Sequence, residues 1–314
     1  MHKLAIVIPY YKIDYFEETL KSIAGQTDKD FVLYIGNDKS VNDPLPLIEK
    51  YLLEDQYQYF DYQENYGGKN LLLQWERILE NVNEEWFQIL GDDDFISQDF
   101  VEEFSKHYKN ITSEINVVKV KNITCDAEGS RLTNESYFEN LASGTYNMLN
   151  VLLHKFRGHT NSSLSEHIFR TKKYREIGFK HYPLAWHSDD MFLLQMSNLK
   201  NFYFINSTCV YIRIFSESIT GGSRYSDLKR KASELFFMDF STYMNRENIP
   251  WYYRKIFLKS LRKEKENIGM ENLKYIYYEN GFRGRLYYMI YQLKLFCKCL
   301  LPKRVISKIQ GEKI

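Results

Sequence analysis

Cysteine and proline are scarce in this chain of 314 residues, four and six respectively, and charge of either sign is nearly balanced, with 42 Lys and Arg against 41 Asp and Glu. Cys125, Cys209, Cys297 and Cys299 lack the paired CxxC spacing of a zinc site and are too few for a disulfide framework, so a reducing compartment is expected. With 15 glycines and 44% hydrophobic residues the chain is neither a collagen-like rod nor a disordered tail. Long apolar runs are missing too. The best, residues 286–301 (LYYMIYQLKLFCKCLL), is broken by Lys294 and Lys298 and falls short of the roughly 20 residues that span a bilayer. The opening MHKLAIVIPYY is too short in apolar residues for a secretory leader, so it reads as a first strand and the chain is expected in the cytoplasm.

What is present has the size of one large or two intimate domains. Charge is unevenly spread: residues 225–314 hold 19 of the 42 basic and 9 of the 41 acidic residues, leaving 23 basic and 32 acidic in 1–224. The acidic body argues against a nucleic-acid enzyme, whereas the basic, aromatic tail fits either an anionic surface or a solvated helical face. A basic amphipathic segment over 284–314 would lie on a membrane rather than cross it, or pack on the protein's own core.

Apolar runs at 4–8, 31–35, 57–62 and 86–90 alternate with helical spacing at 14–25, 44–54 and 69–81. This alternation predicts a parallel α/β sheet with ligands at the carboxyl ends of the strands. Beyond residue 100 the rhythm weakens, with strands at 115–120, 202–205 and 209–215, and from about Tyr225 helical patterns take over. The expected segments are therefore 1–100, 101–224 and 225–314.

Polar clusters follow each of the first four strands: Pro9-Tyr10-Tyr11, Asn37-Asp38-Lys39-Ser40, Glu64 to Asn70, and Gly91-Asp92-Asp93-Asp94-Phe95. Three adjacent carboxylates at a strand end repel one another unless a cation or hydrogen-bond donors compensate, and Mg²⁺ or Mn²⁺ typically binds through one or two carboxylates plus substrate phosphates. A helix cap explains one or two of the three. A second pair, Asp189-Asp190, begins a helical pattern and reads either as a cap or as a base for an attacking hydroxyl. His159, His187, Trp186 and the pair Gly221-Gly222 are weaker candidates for acceptor contacts and a loop hinge.

In order and spacing these motifs resemble those of the family 2 glycosyltransferases, over roughly residues 3–220. The resemblance implies a GT-A fold, a Rossmann-like, mostly parallel sheet flanked by helices, here with a helical C-terminal extension. Residues 1–100 would bind a nucleotide-sugar and 101–224 the acceptor. The activity implied is metal-dependent, inverting transfer from a nucleotide-sugar, by family habit a UDP-sugar, to a glycan or lipid-linked acceptor in surface-polysaccharide synthesis, with Mn²⁺ or Mg²⁺ as cofactor.

Position by position, the resemblance puts Pro9 and Tyr10 against the base, Asp38 on the uracil, Asn65 in the third nucleotide-side loop and Asp92 on the ribose or sugar. Asp93 becomes the metal ligand, or Asp94 if the run aligns one position later. Asp190, with Asp189 beside it, becomes the catalytic base. The sequence departs from the family pattern at Asn37 and Lys39, in the shortened third loop where Lys69 stands in for a missing cation, and at Phe215, which replaces a histidine and leaves Arg213 as the diphosphate contact. Two other readings stay open at this point, a sugar-phosphate nucleotidyltransferase and a non-catalytic nucleotide- or carbohydrate-binding protein. The first lacks its glycine-rich loop, because Tyr10-Tyr11-Lys12-Ile13 occupies that place.

Overall fold

The computed structural model describes residues 2–132, 138, 140–156, 162–214, 225–261 and 268–300. It divides into two compact units, Met1–Ala232 and Ser233–Ile314.

The first unit is built on a nine-stranded sheet. Strand β1 (Leu4–Tyr10) is apolar on both faces and almost wholly buried, because it runs parallel between β2 (Phe31–Asn37) and β4 (Trp86–Ile89). β3 (Tyr57–Asp61) extends the parallel set beyond β2. Helix α1 (Phe16–Ala24) turns Phe16, Leu20 and Ile23 into the core, and Glu17 and Glu18 favour the positive end of its dipole. Short α2 (Leu45–Tyr51) follows β2, and α3 (Leu71–Leu79) starts where the Asn70 side chain accepts the Leu72 N–H at 3.1 Å. After β3 the chain crosses back to the other side of β1. The sheet's order therefore reverses between β1 and β4, the position where α/β sheets open a ligand crevice.

Beyond β4 the sheet becomes mixed. The two-residue β5 (Phe95–Ile96) and α4 (Phe100–His107) lead into β6 (Val117–Cys125), β7 (Gly144–Asn147), α5 (Met148–Phe156), β8 (His167–Arg170), α6 (Thr171–Ile177), α7 (Ser188–Met196) and β9 (Asn201–Arg213). β8 joins the halves expected on either side of residue 100, pairing antiparallel with both β4 and β6. Sequence spacing predicts two strands within 202–215, yet one 13-residue strand is found. Polar Asn206-Ser207-Thr208 reads as a break, but the ladder with β6 absorbs it as a register shift opposite Val120 and Lys121.

The second unit is helical. Helix α8 (Ser226–Arg246) runs into it, followed by α9 (Trp251–Ser260) and helices over Met270–Glu279 and Gly281–Leu300. Its core gathers Phe236, Phe240, Phe257, Leu258, Leu273 and Tyr277, with Phe240 edge-on to Phe257 at 4.8 Å. The Asn280 side-chain amide donates to Ser241 Oγ at 3.0 Å inside that core.

Candidate active site

The crevice predicted by the strand order is closed by hydrogen bonds that join its loops. Asp92, just past β4, accepts the backbone N–H groups of Tyr11 and Lys12, just past β1, both at 2.7 Å on one carboxylate oxygen. Thr19 of α1 donates to the carbonyl oxygens of Asp92 and Asp94. Asp94 is buried; its carboxylate accepts Ser165 Oγ at 2.6 Å and the Arg213 N–H at 3.0 Å. Gly91 permits the turn, because a Cβ there would lie 2.9 Å from Asp93 Oδ1 and 3.1 Å from Asp94 Oδ2.

Three carboxylates are thus packed where water is scarce. Burial first, then the Asp93 charge, pushes Asp92 up to about 7 and Asp94 up to about 8. Asp93 is raised by burial as well, which its own N–H and the charges of Lys12 and Arg213 only partly offset. Asp92 and Asp93 are both partly exposed, but one Asp92 oxygen is committed to the loop after β1, whereas among the described residues no side-chain or loop donor takes up the Asp93 carboxylate, which leaves it the better placed of the two to meet a cation. Among the described residues no cluster of three or more His, Cys, Asp and Glu is arranged as a cage. One or two carboxylates at a crevice instead suit an ion that shares its coordination with substrate phosphate, as Mg²⁺ and Mn²⁺ do.

The other expected nucleotide contacts are placed as follows. Tyr10 is buried against Phe16, its hydroxyl donating to the Asn42 carbonyl at 3.0 Å, and burial raises it to about 12; the neighbouring Tyr11 is exposed. Pro9 lies on β1, in register with Gly36 of β2. Asp38 is buried and accepts the N–H groups of Tyr66 and Gly67 at 2.8 and 2.7 Å and the guanidinium of Arg77. Burial raises its pKa, opposed by those two N–H bonds and by Arg77. Arg77, which the sequence reading misses, stacks on Tyr62 at 3.7 Å and fixes the third loop over the second. Gly67 is required there, since a Cβ would sit 2.6 Å from Asp38 Oδ2. Asn65 folds its side-chain oxygen onto the Gly68 N–H, while Lys69 beside it is exposed. Arg213 is buried, with its guanidinium on Glu18, the Asp93 carbonyl (3.0 Å) and the Ala127 carbonyl, so it acts as a strut beneath the acidic run.

Arg213 also borders a cavity of about 380 Å³ that reaches the second acidic pair. Its walls come from β6 (Asn122, Thr124), the Ser162–Leu164 segment, α3 (Leu71, Trp75), the Leu184–His187 turn and the start of α7. That turn is strained: Leu184, Ala185 and His187 all have left-handed φ of 54 to 66°, a conformation held only when surroundings impose it and commonly found at functional sites. Trp186 faces the Lys229 ammonium, 4.7 Å from the ring centre.

At the head of α7, Asp190 is not a helix cap. It is buried and accepts the Lys155 ammonium on one oxygen and His187 Nδ1 at 2.7 Å on the other. Burial alone would raise it, but the Lys155 charge and the His187 bond outweigh that and hold it well below the usual carboxylate range. Asp189 behaves oppositely: burial and the Asp190 charge push it up to about 7. Two buried polar atoms in the cavity wall, Asn122 Oδ1 and Ser162 Oγ, have no hydrogen-bond partner among the described residues, an arrangement a hydroxyl-rich ligand would satisfy. Lys155, Ser162, Ser165 and Asn122 have no sequence signal, since each sits among ordinary polar neighbours. His159, Phe215, Gly221 and Gly222 lie outside the described residues.

Among known folds, the chain superimposes on Staphylococcus aureus TarS residues 1–349 crystallised with UDP-GlcNAc, with a TM-score of 0.61, 16% identity, and coverage of 87% of this chain and 83% of that one. The same TarS fragment crystallised with UDP gives a TM-score of 0.55 at 14% identity, covering 90% and 88%. At such identities the agreement concerns the fold, which is that of a GT-A enzyme. No curated protein sequence matches. The sequence model of glycosyl transferase family 2 matches residues 5–192, from the first strand through the acidic run to the Asp189-Asp190 pair. That span covers more than half of the chain and both acidic groups, and the chain belongs to glycosyl transferase family 2.

Proposed function

We propose that this glycosyltransferase transfers a sugar from a UDP-sugar to a hydroxyl of a glycan or lipid-linked acceptor in surface-polysaccharide synthesis, with inversion at the anomeric carbon. The observation that carries the reading is the connection of two acidic sites through one residue. Arg213 holds Asp94 of the run at the strand ends and borders the cavity of Asp190, so leaving group and acceptor would meet across it. The UDP and UDP-GlcNAc bound by TarS support a uridine nucleotide as donor.

In this reading Asp93, with the remaining oxygen of Asp92, holds Mn²⁺ or Mg²⁺. When bound, the ion supplies positive charge against the negative charge building on the departing diphosphate. The chain's own residues do the rest. Asp92 fixes the Tyr11-Lys12 backbone beside the nucleotide, Arg77 and Asp38 brace the loop that carries Asn65 and Lys69, and Asp190 takes the proton of the acceptor hydroxyl as it attacks. Asn122 and Ser162 receive hydroxyl groups of the sugar or acceptor and Trp186 offers a ring face. The test is a thermal-shift screen of nucleotide-sugars with and without Mn²⁺. A ligand at 100 times its Kd stabilises the native state by about 2.7 kcal/mol, so UDP-sugars with Mn²⁺ should raise the midpoint clearly and GDP-sugars should not. No response to any uridine nucleotide would contradict the donor, and an equal response without metal would contradict the ion.

We place the enzyme in the cytoplasm, on the inner face of the cell membrane. No helix among the described residues is long and apolar enough to cross a membrane. However, the Gly281–Leu300 helix exposes Phe282, Leu286, Met289, Leu293 and Phe296, spaced alternately four and three along one face. Arg283, Arg285 and Lys294 lie on the same helix and no acidic residue occurs between 281 and 311, which suits anionic lipid. The remainder of the expected segment, 301–314, lies outside the described residues. Replacing Met289, Leu293 and Phe296 together by serine should lower binding to phosphatidylglycerol vesicles at least about tenfold in a sedimentation assay, since each buried apolar side chain contributes roughly 1.5–3 kcal/mol. Unchanged sedimentation would exclude this face as the contact.

A further inference from the structure

We propose that Lys155 is the positioning residue for the catalytic carboxylate: its ammonium, carried on α5, fixes Asp190 against the cavity wall and decides which member of the Asp189-Asp190 pair is charged. The inference rests on the reading of Asp190 as the base.

Asp190 sits in the first turn of α7, and its two oxygens are gripped by donors from two elements, Lys155 of α5 and His187 of the turn before α7. His187 reaches its oxygen from a left-handed backbone, φ 66°, so that donor is set by the strained turn. A carboxylate has about four acceptor positions, so one grip on each oxygen still leaves positions open to an incoming hydroxyl. Lys155, Asp189 and Asp190 all border the same cavity.

Two adjacent carboxylates at a cavity wall, Asp190 buried and Asp189 partly so, cannot both ionise cheaply, and an asymmetric neighbour settles which one does. Lys155 is that neighbour. The charged groups that face the pair are Lys155, His187 and, behind Lys155, Glu166. Glu166 is satisfied by Lys119 Nζ at 2.9 Å and by Ser163, so the Lys119 ammonium is committed there and does not replace Lys155. Arg213 borders the cavity, but its guanidinium is committed to Glu18 and backbone carbonyls. Lys155 itself remains protonated, because the Asp190 and Asp189 charges outweigh its burial. With the ammonium in place, Asp190 is the ionised member at neutral pH and Asp189 the one that titrates near 7. Without it, Asp190 keeps only the His187 bond and loses the neighbouring charge that most favours its ionised form.

The experiment is the pH profile of kcat/KM for Lys155→Met, beside Lys155→Arg and Asp190→Asn, with UDP binding measured on each as a check of folding. Wild type should hold its activity down through pH 6. Lys155→Met should move the acid limb to higher pH than in wild type, with activity falling about tenfold per pH unit below it, and Lys155→Arg, which keeps the charge, should restore the wild-type profile. If Lys155→Met does not fold, Lys155→Gln is read in the same way. A folded variant that loses the same factor of activity at every pH, or loses none, overturns the positioning role. Retained turnover in Asp190→Asn overturns the base assignment instead, so the two failures are distinguishable.

Discussion

Asp93→Ala should weaken Mn²⁺-dependent binding of UDP at least about a hundredfold in calorimetry while leaving the fold intact. The expectation follows from how the acidic run is spent. Asp94 is taken up by Ser165 and the Arg213 backbone, and one Asp92 oxygen by the loop after β1, so removing either carboxylate would loosen the sheet's edge as well as any ligand. Among the described residues Asp93 meets no such internal donor beyond its own N–H, and the charges of Lys12 and Arg213 do not offset the cost of its burial. A cation shared with the diphosphate would offset that cost, and alanine would remove the main protein ligand of such an ion. Metal-dependent affinity that survives Asp93→Ala would mean that the ion is held elsewhere.

Asp190→Asn leaves UDP binding unchanged and lowers transfer by about 10²–10⁴-fold, the usual range for a positioned proton acceptor. Asparagine matches aspartate in shape and accepts a hydrogen bond, so the bond from Lys155 survives in weakened form while basicity is lost. The distinguishing feature is the split: a donor-site defect would appear in UDP affinity, whereas this variant should bind donor and fail to turn over. Turnover within a few-fold of wild type would hand the role to Asp189, whose carboxyl, pushed up to about 7, is the alternative acceptor.

The parallel, nucleotide-side part of the fold was legible because its signals are local. Leu4–Ile8 and Trp86–Ile89 are buried on both faces because they are central strands, and all but Gln88 of them are apolar, which makes them easy to find in the sequence. Beyond residue 100 the determinants are long-range. β8, four residues pairing with both β4 and β6, carries too little pattern to be found, and β9 hides behind polar residues that a bulge accommodates. The site shows the same divide. Acidic runs at strand and helix starts can be read from spacing, but nothing local tells that Lys155, 35 positions before Asp190, returns to grip it, or that Ser165 meets Asp94. Nor does a sequence reveal which aspartates of a run are already occupied by backbone donors; that depends on where the loop after β1 comes to rest.

We propose that the crevice between the ends of β1 and β4 holds a nucleoside diphosphate through a cation on the acidic run. A crystal grown with UDP and Mn²⁺, with anomalous scattering collected to locate the metal, tests this most directly. A manganese peak is expected at the Asp93 carboxylate beside the diphosphate, with the uridine along the loops after β1 and β2. UDP bound with no metal peak at Asp93, or with that side chain turned onto Lys12, would contradict it.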